Sequence, residues 1–281
     1  MIGQKNLLKQ IEWQINAGCF PRFSIIVGDR GSEKNMVAYY VSSTMFATHI
    51  SLPDIKIDTI RYVIEQAYKI RQQQPIVYVI EDADDMSVQA KNALLKVTEE
   101  PPNNVYFIMT LEDANNTLDT IRSRATIFQM ERYKPDEIID YAMPIFGVEQ
   151  LDGTTRKIIV DLCETPGDVD LLYKIGLHDF YDFVGKVVDH IATASGANVF
   201  KIADKIALKD EPDKYDLKLF WKAFASICLR IGQQRGDATK LVKYCNAYTI
   251  TSRIIQKLRI KGVNKQMLFD EWILEVRKAW M

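Results

Sequence analysis

Paired cysteines are missing from this chain. Cys19, Cys163, Cys228 and Cys245 lie far apart in 281 residues, and no CxxC pair occurs. Neither a zinc module nor a disulfide framework is therefore expected. Scattered single thiols suit a reducing compartment, so a cytoplasmic location is the expectation. No apolar run reaches the roughly 18 residues that cross a membrane, and no signal peptide is expected at the start. An excess of one charge is missing too: Lys plus Arg number 36 and Asp plus Glu 37. Domains that grip nucleic acid unaided ordinarily carry a basic excess, so autonomous DNA binding is not indicated. Histidine is scarce. His49, His178 and His190 are spread apart with no carboxylates grouped around them, which leaves no histidine-based catalytic or metal constellation.

What is present is an alternation of short apolar runs and helical segments. The length allows two or three domains. Residues 4–17 have helical spacing, with Leu7, Leu8, Ile11 and Ile15 on one face. Strands are expected at 23–27, 48–52, 76–80, 105–110 and 125–130. Helices are expected from Lys34 to about Phe46, from a cap at Asp58 to about Gln72, and over 87–99, where Pro101-Pro102 stops the chain. Strands alternating with helices in units of this size imply a parallel α/β sheet. Beyond Met130 the pattern is helical only: 135–146, 154–163, a segment after His178, 199–208, 217–233, 239–258 and 265–280. Pro166-Gly167 reads as an end or a turn. Phe180, Phe183, Val184, Val187, Val188 and Ile191 mark one apolar face.

Two stretches carry chemistry. Strand 76–80 ends in adjacent acids, Glu81 and Asp82. In nucleotide-hydrolysing folds, acids at such a position sit beside magnesium and the attacking water. The second stretch, Gly28-Asp29-Arg30-Gly31-Ser32-Glu33-Lys34-Asn35, lies between a strand and a helix, where a phosphate loop belongs. A working loop holds phosphates with backbone N–H groups and a helix N-terminus, a Lys on the terminal phosphates and a hydroxyl on magnesium. Gly28, Gly31 and Lys34 fit. Glu33 stands at the usual last Gly position, and Asn35 replaces the hydroxyl. Alone, such a loop is as a rule an ordinary strand-to-helix turn. An acidic strand some fifty residues later makes phosphate-loop ancestry the better reading.

The residues of this half resemble the AAA+ clamp-loader subunits of bacterial DNA polymerase III, the delta-prime type first and the gamma type second. The resemblance rests on Ile2-Gly3-Gln4, the loop 28–34, Ile57-Asp58-Thr59-Ile60-Arg61 and Glu81-Asp82-Ala83-Asp84. Its most specific part is Asn92-Ala93-Leu94-Leu95-Lys96 with Glu99-Glu100-Pro101-Pro102. Phe107-Ile108-Met109-Thr110 and Thr120-Ile121-Arg122-Ser123-Arg124 complete it. These segments keep the family's order over residues 1 to about 130. Beyond them only helical character and Pro166-Gly167-Asp168 match.

The resemblance implies an α/β P-loop domain over 1–131, a small helical lid over 132–176 and a helical collar over 177–281 that assembles a hetero-pentamer. It implies a subunit of the machine that loads a sliding clamp on primed DNA, with other loader subunits as direct partners and clamp and DNA reached through the complex. The family's Ser-Arg-Cys motif aligns with Ser123-Arg124-Ala125, so Arg124 would be an arginine finger on ATP held by a neighbour. Thr110 would be the polar sensor beside the degenerate nucleotide site of Gly28, Gly31, Lys34, Glu81 and Asp82. Four departures count against ATP hydrolysis by the chain itself. They are Glu33, Asn35, the reversed Glu81-Asp82 order, and Asp170 where a second sensor Arg belongs. ATP and magnesium are accordingly not required on this reading. The four-cysteine zinc module of many relatives has no counterpart between the loop and the acidic strand. Two other readings stay open: an active gamma-like ATPase subunit, and a AAA+ adaptor outside replication.

Other features have plainer readings. Trp13, Trp221, Trp272 and Trp280 are expected in the core or a collar interface. Phe220, Trp221, Tyr244 and Tyr248 look exposed and fit a surface buried between subunits. Glu99-Glu100 reads as a helix end with exposed acids, Lys257, Arg259, Lys261 and Lys265 as a solvated face, and Arg61 and Arg122 as ion-pair partners. Metal analysis of the purified chain should find no stoichiometric zinc; one zinc per chain would contradict the loss of the cysteine module.

Overall fold

The computed structural model describes residues 2–69, 74–193, 216–233, 238–258, 260 and 262–280. The chain forms two compact units, Met1–Glu137 with Thr165–Gly167, and Ile138–Glu164 with Asp168–Met281. The first contains α1 (Lys5–Asn16), β1 (Phe23–Val27), α2 (Lys34–Thr44), β2 (Thr48–Leu52), α3 (Ile57–Lys69) and β3 (Ile76–Ile80). It continues with α4 (Val88–Ala93), α5 (Leu95–Glu99), β4 (Val105–Leu111), α6 (Asp119–Arg122) and β5 (Thr126–Gln129). The strands run in the order β2-β3-β4-β1-β5, and every pairing is parallel.

Burial explains why these runs are strands. Every residue of β1 and β3 is buried, as parallel strands covered on both faces require. Side chains alternate between two cores. Phe23, Ile25, Val27, Tyr78, Ile80, Phe107 and Met109 pack with Ile60 and Val63 of α3, Ala90 of α4 and Val97 of α5. Ile26, Val77, Val79, Ile108 and Phe128 pack with Leu7 and Ile11 of α1 and Val37 and Val41 of α2. The chain start is tied to the exit of β5 by Gln4. Its amide donates to the Glu131 carbonyl and accepts from the Glu131 N–H, both at 2.8 Å.

Local differences from the sequence reading have physical causes. Asp58 lies in the first turn of α3 and does not cap it. Asp54 ties down the entry instead, accepting from the Lys56 N–H at 3.1 Å and the Thr59 hydroxyl at 2.9 Å. Those hydrogen bonds, the Lys56 N–H first, hold its carboxyl below the usual range. The expected helix 87–99 starts at the Ser87 cap and tightens at Leu94, whose N–H reaches back three residues to Lys91 at 3.1 Å. It is therefore two short helices, α4 and α5.

The second unit is helical in its described residues. It holds most of α7 (Pro135–Ile145), then α8 (Gly153–Leu162), most of α9 (Pro166–Ile175), α10 (Leu177–Thr193), α11 (Leu217–Gly232), α12 (Ala238–Lys257) and α13 (Lys265–Trp280). Pro166 does not end a helix but opens α9; at the first helical position its missing N–H has no partner to lose. The expected helix 199–208 lies outside the described residues, as do Arg259 and Lys261. Lys257 pairs with Glu271 rather than forming a free basic face.

α11 runs through the middle of this unit, so Phe220 and Trp221 are fully buried: this is the core position expected for Trp221 among the tryptophans, and it corrects the expectation that both look exposed. Its apolar residues go most of the way round, the mark of a central helix. Trp272 of α13 meets Phe224 edge-on at 4.8 Å and Phe220 at 5.7 Å, and its ring N–H donates to Thr251 of α12 at 2.9 Å. Tyr248 is exposed as expected, whereas Trp13, expected in the core or a collar interface, is 66% exposed and so not in the core.

One ion cluster joins α8 to α11. Lys222 donates to the Leu162 carbonyl at 3.0 Å and lies 3.1 Å from Glu164 and 3.8 Å from Asp168, with Lys218 3.2 Å from Glu164. Burial pushes the Glu164 carboxyl up, but Lys222 and Lys218 outweigh it and hold it below the ordinary range. A carboxylate so depressed stabilises the fold above its unfolded pKa and loses that contribution as pH falls. Lys222→Ala should thus lower stability by about 1 kcal/mol at pH 7, the exposed side of the pair being screened. Denaturant unfolding should show a smaller loss near pH 4; an equal loss there would assign the effect to packing rather than charge.

Candidate functional site

Three neighbouring strands deliver the site at their carboxyl ends, where open parallel sheets present ligand crevices. β1 leads into the loop 28–34, β3 ends at Glu81-Asp82, and β4 carries Thr110. Lys34 begins α2 and is only 5% exposed. Its ammonium lies 3.3 Å from the Asp29 carbonyl and 3.7 Å from the Asp82 carboxylate. Thr110 is fully buried; its hydroxyl donates to the Asn35 amide oxygen at 3.0 Å and accepts from the Asp82 N–H at 2.9 Å. One continuous set of contacts thus joins the start of α2, the acid after β3 and Thr110 of β4.

The two acids part company. Asp82 has a left-handed backbone, φ 44°, and faces Lys34. Glu81 accepts from Ser51 on β2, the strand on the side of β3 away from β4. Of the predicted site residues, the fold therefore brings Gly28, Gly31, Lys34, Asp82 and Thr110 together and ties Glu81 to the neighbouring strand. Glu112, just past β4, was not singled out from sequence. Partial burial raises its carboxyl, with Lys34 opposing, although the residue is exposed overall. Asp84 stands in the segment Glu81-Asp82-Ala83-Asp84 but was given no role from sequence. It accepts from the Glu112 N–H at 2.9 Å and the Asn116 amide at 2.8 Å, fixing the loop after β4. Buried Lys91 bonds to the Asn116 carbonyl beneath it.

The loop is closely packed by its own unit. Tyr133 donates to the Ser32 carbonyl at 2.8 Å. Gly31, at φ 76°, accepts at its carbonyl from the Gly167 N–H at 3.0 Å. A Cβ on Gly31 would come within 2.9 Å of the Gly167 Cα, and one on Gly167 within 2.6 Å of the Gly31 Cα. Both glycines are thus required by close approach. Glu33 also has a left-handed backbone, φ 62°, at the start of α2, a conformation glycine adopts freely and glutamate does not. Tested against magnesium-ATP, the residues fit incompletely. Lys34, Asp82 and Thr110 suit phosphate and metal, but no hydroxyl stands at Asn35, whose side chain is already bonded to Thr110. Among the described residues no three His, Cys, Asp or Glu side chains cluster as a metal-ligand set.

Arg124 makes its bonds away from this loop. It follows α6, donates to the Thr120 carbonyl at 2.8 Å, and pairs with Glu99 at the end of α5 at 3.0 Å. Its partner is neither Asp119 nor Glu131, the local acids nearest in sequence. Arg122 takes Asp119 at 2.7 Å and the Asn115 amide oxygen at 2.6 Å, the structural role expected for it. Asp170, in the second unit, accepts from Tyr141 at 3.1 Å.

Known proteins resemble this chain in sequence and in fold. The family described as DNA polymerase III, delta subunit matches residues 49–134. The gamma subunit of DNA polymerase III from Buchnera aphidicola of Schizaphis graminum is 26% identical over 57% of this chain and 53% of its own length. That from the Acyrthosiphon pisum strain is 25% identical over 75% and 67%. The delta' subunit of Haemophilus influenzae is 35% identical over 27% of this chain and 24% of its own. The chain is thus similar in sequence to subunits of DNA polymerase III. The comparisons do not separate delta-prime from gamma. The matched part spans about half the length of the first of these relatives. The fold is shared with solved structures. A gamma subunit-related protein of Thermotoga maritima superposes with TM-score 0.57 at 15% identity, covering 98% of this chain and 100% of that one. The RuvB branch-migration motor of Thermotoga maritima gives 0.54 at 16%, covering 99% and 87%.

The left-handed backbone of Glu33 can be tested directly. Glu33→Gly removes a left-handed glutamate and should leave stability unchanged or raise it by up to about 1 kcal/mol. Glu33→Val should cost about 1 kcal/mol or more, because a branched Cβ tolerates that backbone worst. Thermal unfolding of both variants checks this; a clearly destabilised Gly variant would show that the carboxylate, not the backbone, is what the loop needs.

Proposed function

We propose that this chain is a clamp-loader subunit of the delta-prime kind, with a helical lid and collar beyond its α/β domain. It stands in a hetero-pentamer of loader subunits in the cytoplasm and gives Arg124 to ATP bound by its neighbour. Clamp and primed DNA are reached through the complex. The observation that carries the reading is the contrast between two sites of one domain. The chain's own loop has a glutamate in a glycine conformation and an asparagine turned to Thr110. Arg124, outside that loop, keeps its place in Thr-Ile-Arg-Ser-Arg with a guanidinium 40% exposed. A cation that meets a terminal phosphate stabilises the charge developing in the transition state. Supplied by a neighbour, such an arginine is worth about 10³ to 10⁵ in rate.

The second reading is an active gamma-like ATPase. The gamma relatives match over more of the chain than the delta' relative does, and Lys34, Asp82 and Thr110 are assembled. Hydrolysis by the isolated chain separates the two. Turnover above about 0.1 per second, against about 1 to 1000 for typical enzymes, favours gamma provided Lys34→Ala abolishes it. The delta-prime reading expects none.

In the reconstituted complex, Arg124→Ala should leave assembly intact and lower ATP hydrolysis sharply at one site. Arg124→Lys should fail as well, since a point charge does not reproduce the planar fork. Hydrolysis and clamp loading at the unmodified rate with Arg124→Ala would falsify the arginine-finger role.

A further inference from the structure

We propose that Glu99 is a positioning residue for Arg124, holding its guanidinium in a waiting orientation that the terminal phosphate on the neighbouring subunit displaces. The inference rests on the trans role of Arg124. It starts from a local conflict. Glu99 is the last residue of α5 and Glu100 its C-cap, and a helix C-terminus disfavours negative charge. An acid there calls for a cation, and the one it meets is the arginine that the sequence motif singles out. Arg124 donates through one terminal nitrogen to the Thr120 carbonyl at 2.8 Å and through the other lies 3.0 Å from the Glu99 carboxylate. Both terminal nitrogens are thus engaged by the chain itself.

Two features make the hold exchangeable. The side chains are 40% and 53% exposed, and ion pairs so open to water are weak. A terminal phosphate carries more charge than a carboxylate and offers three oxygens to the same fork. It wins the guanidinium once it arrives, while Glu99 limits the wandering of a long side chain until then. Because carboxylate and phosphate compete for one cation, removing the carboxylate charge should favour the phosphate. A purely structural acid predicts the opposite sign. Lys96, on the same short helix, lies over the Tyr68 ring and does not compete for Glu99.

The test uses the full chain in the reconstituted complex. Glu99→Gln, which keeps shape and an acceptor but loses the charge, should lower KM for ATP and raise kcat/KM about two- to fivefold, the range of an exposed ion pair. Glu99→Asp should stay near the parent. The double variant Glu99→Gln with Arg124→Ala should equal Arg124→Ala alone, since Glu99 acts through Arg124. A fall in kcat/KM with Glu99→Gln, or no change, overturns the proposal. A separate readout needs no partner. Nuclear magnetic resonance of the isolated chain should show slowed rotation of the Arg124 terminal nitrogens, relieved in Glu99→Gln. If the parent shows free rotation, the pair does not form and Glu99 has no such role, even where Arg124→Ala still disables the complex. If Arg124→Ala leaves the complex at full rate, the trans reading itself fails, and the Glu99 role with it.

Discussion

Lys34 sits at the carboxyl edge of the sheet with 5% of its surface open to water. An ammonium so placed has to find oxygens within the protein or lose its charge. The Asp29 carbonyl and the Asp82 carboxylate supply them, and much of the surrounding geometry follows. Asp82 takes a left-handed backbone at the end of β3, its N–H meets Thr110, and Thr110 in turn holds Asn35. In a phosphate-binding loop the lysine would face an anion from outside. Here the chain's own groups already surround it, and Gly31 lies against the Gly167 backbone.

A second polar system lies further along the same domain. Asp84 collects N–H groups from Glu112 and the Asn116 side chain, Lys91 fastens the loop from below, and Asn115 receives Arg122. These bonds fix the segment that leads into α6 and so set where Arg124 begins. Glu99, from α5, sets where it ends. The half-exposed Arg124 side chain is therefore held from two sides, by Thr120 before it and by Glu99 of α5.

The helical unit rests on different physics. Trp272 packs edge-on against Phe220 and Phe224, and Thr251 takes the buried Trp272 indole N–H, while the Trp221 indole N–H is buried without a partner. Lys222 closes the far side with Glu164 and Asp168. Apolar packing supplies the bulk of this unit, and the ion cluster fixes how α8 and α11 face each other.

The sequence alone determined the five parallel strands, because runs such as 23–27 and 76–80 are apolar without alternation and only a doubly covered sheet buries both sides. It also determined the helical second half, the loop before Lys34, the acids after Ile80 and the motif ending at Arg124, since each depends on residues near one another in the chain. Partners distant in sequence were decided by tertiary structure. Nothing local says that Asp82 rather than Glu81 meets Lys34; the choice follows from Ser51 standing on β2. Nothing near Arg124 names Glu99, because Asp119 is taken by Arg122 and α5 approaches only once the sheet is formed. That Phe220 and Trp221 are covered within the chain rather than by another subunit was equally illegible, since an apolar stripe reads alike whether a subunit or the chain's own α13 covers it. Asp54 displaced Asp58 as the group at the entry of α3 because the backbone turns before Ile57, a geometry that composition does not record.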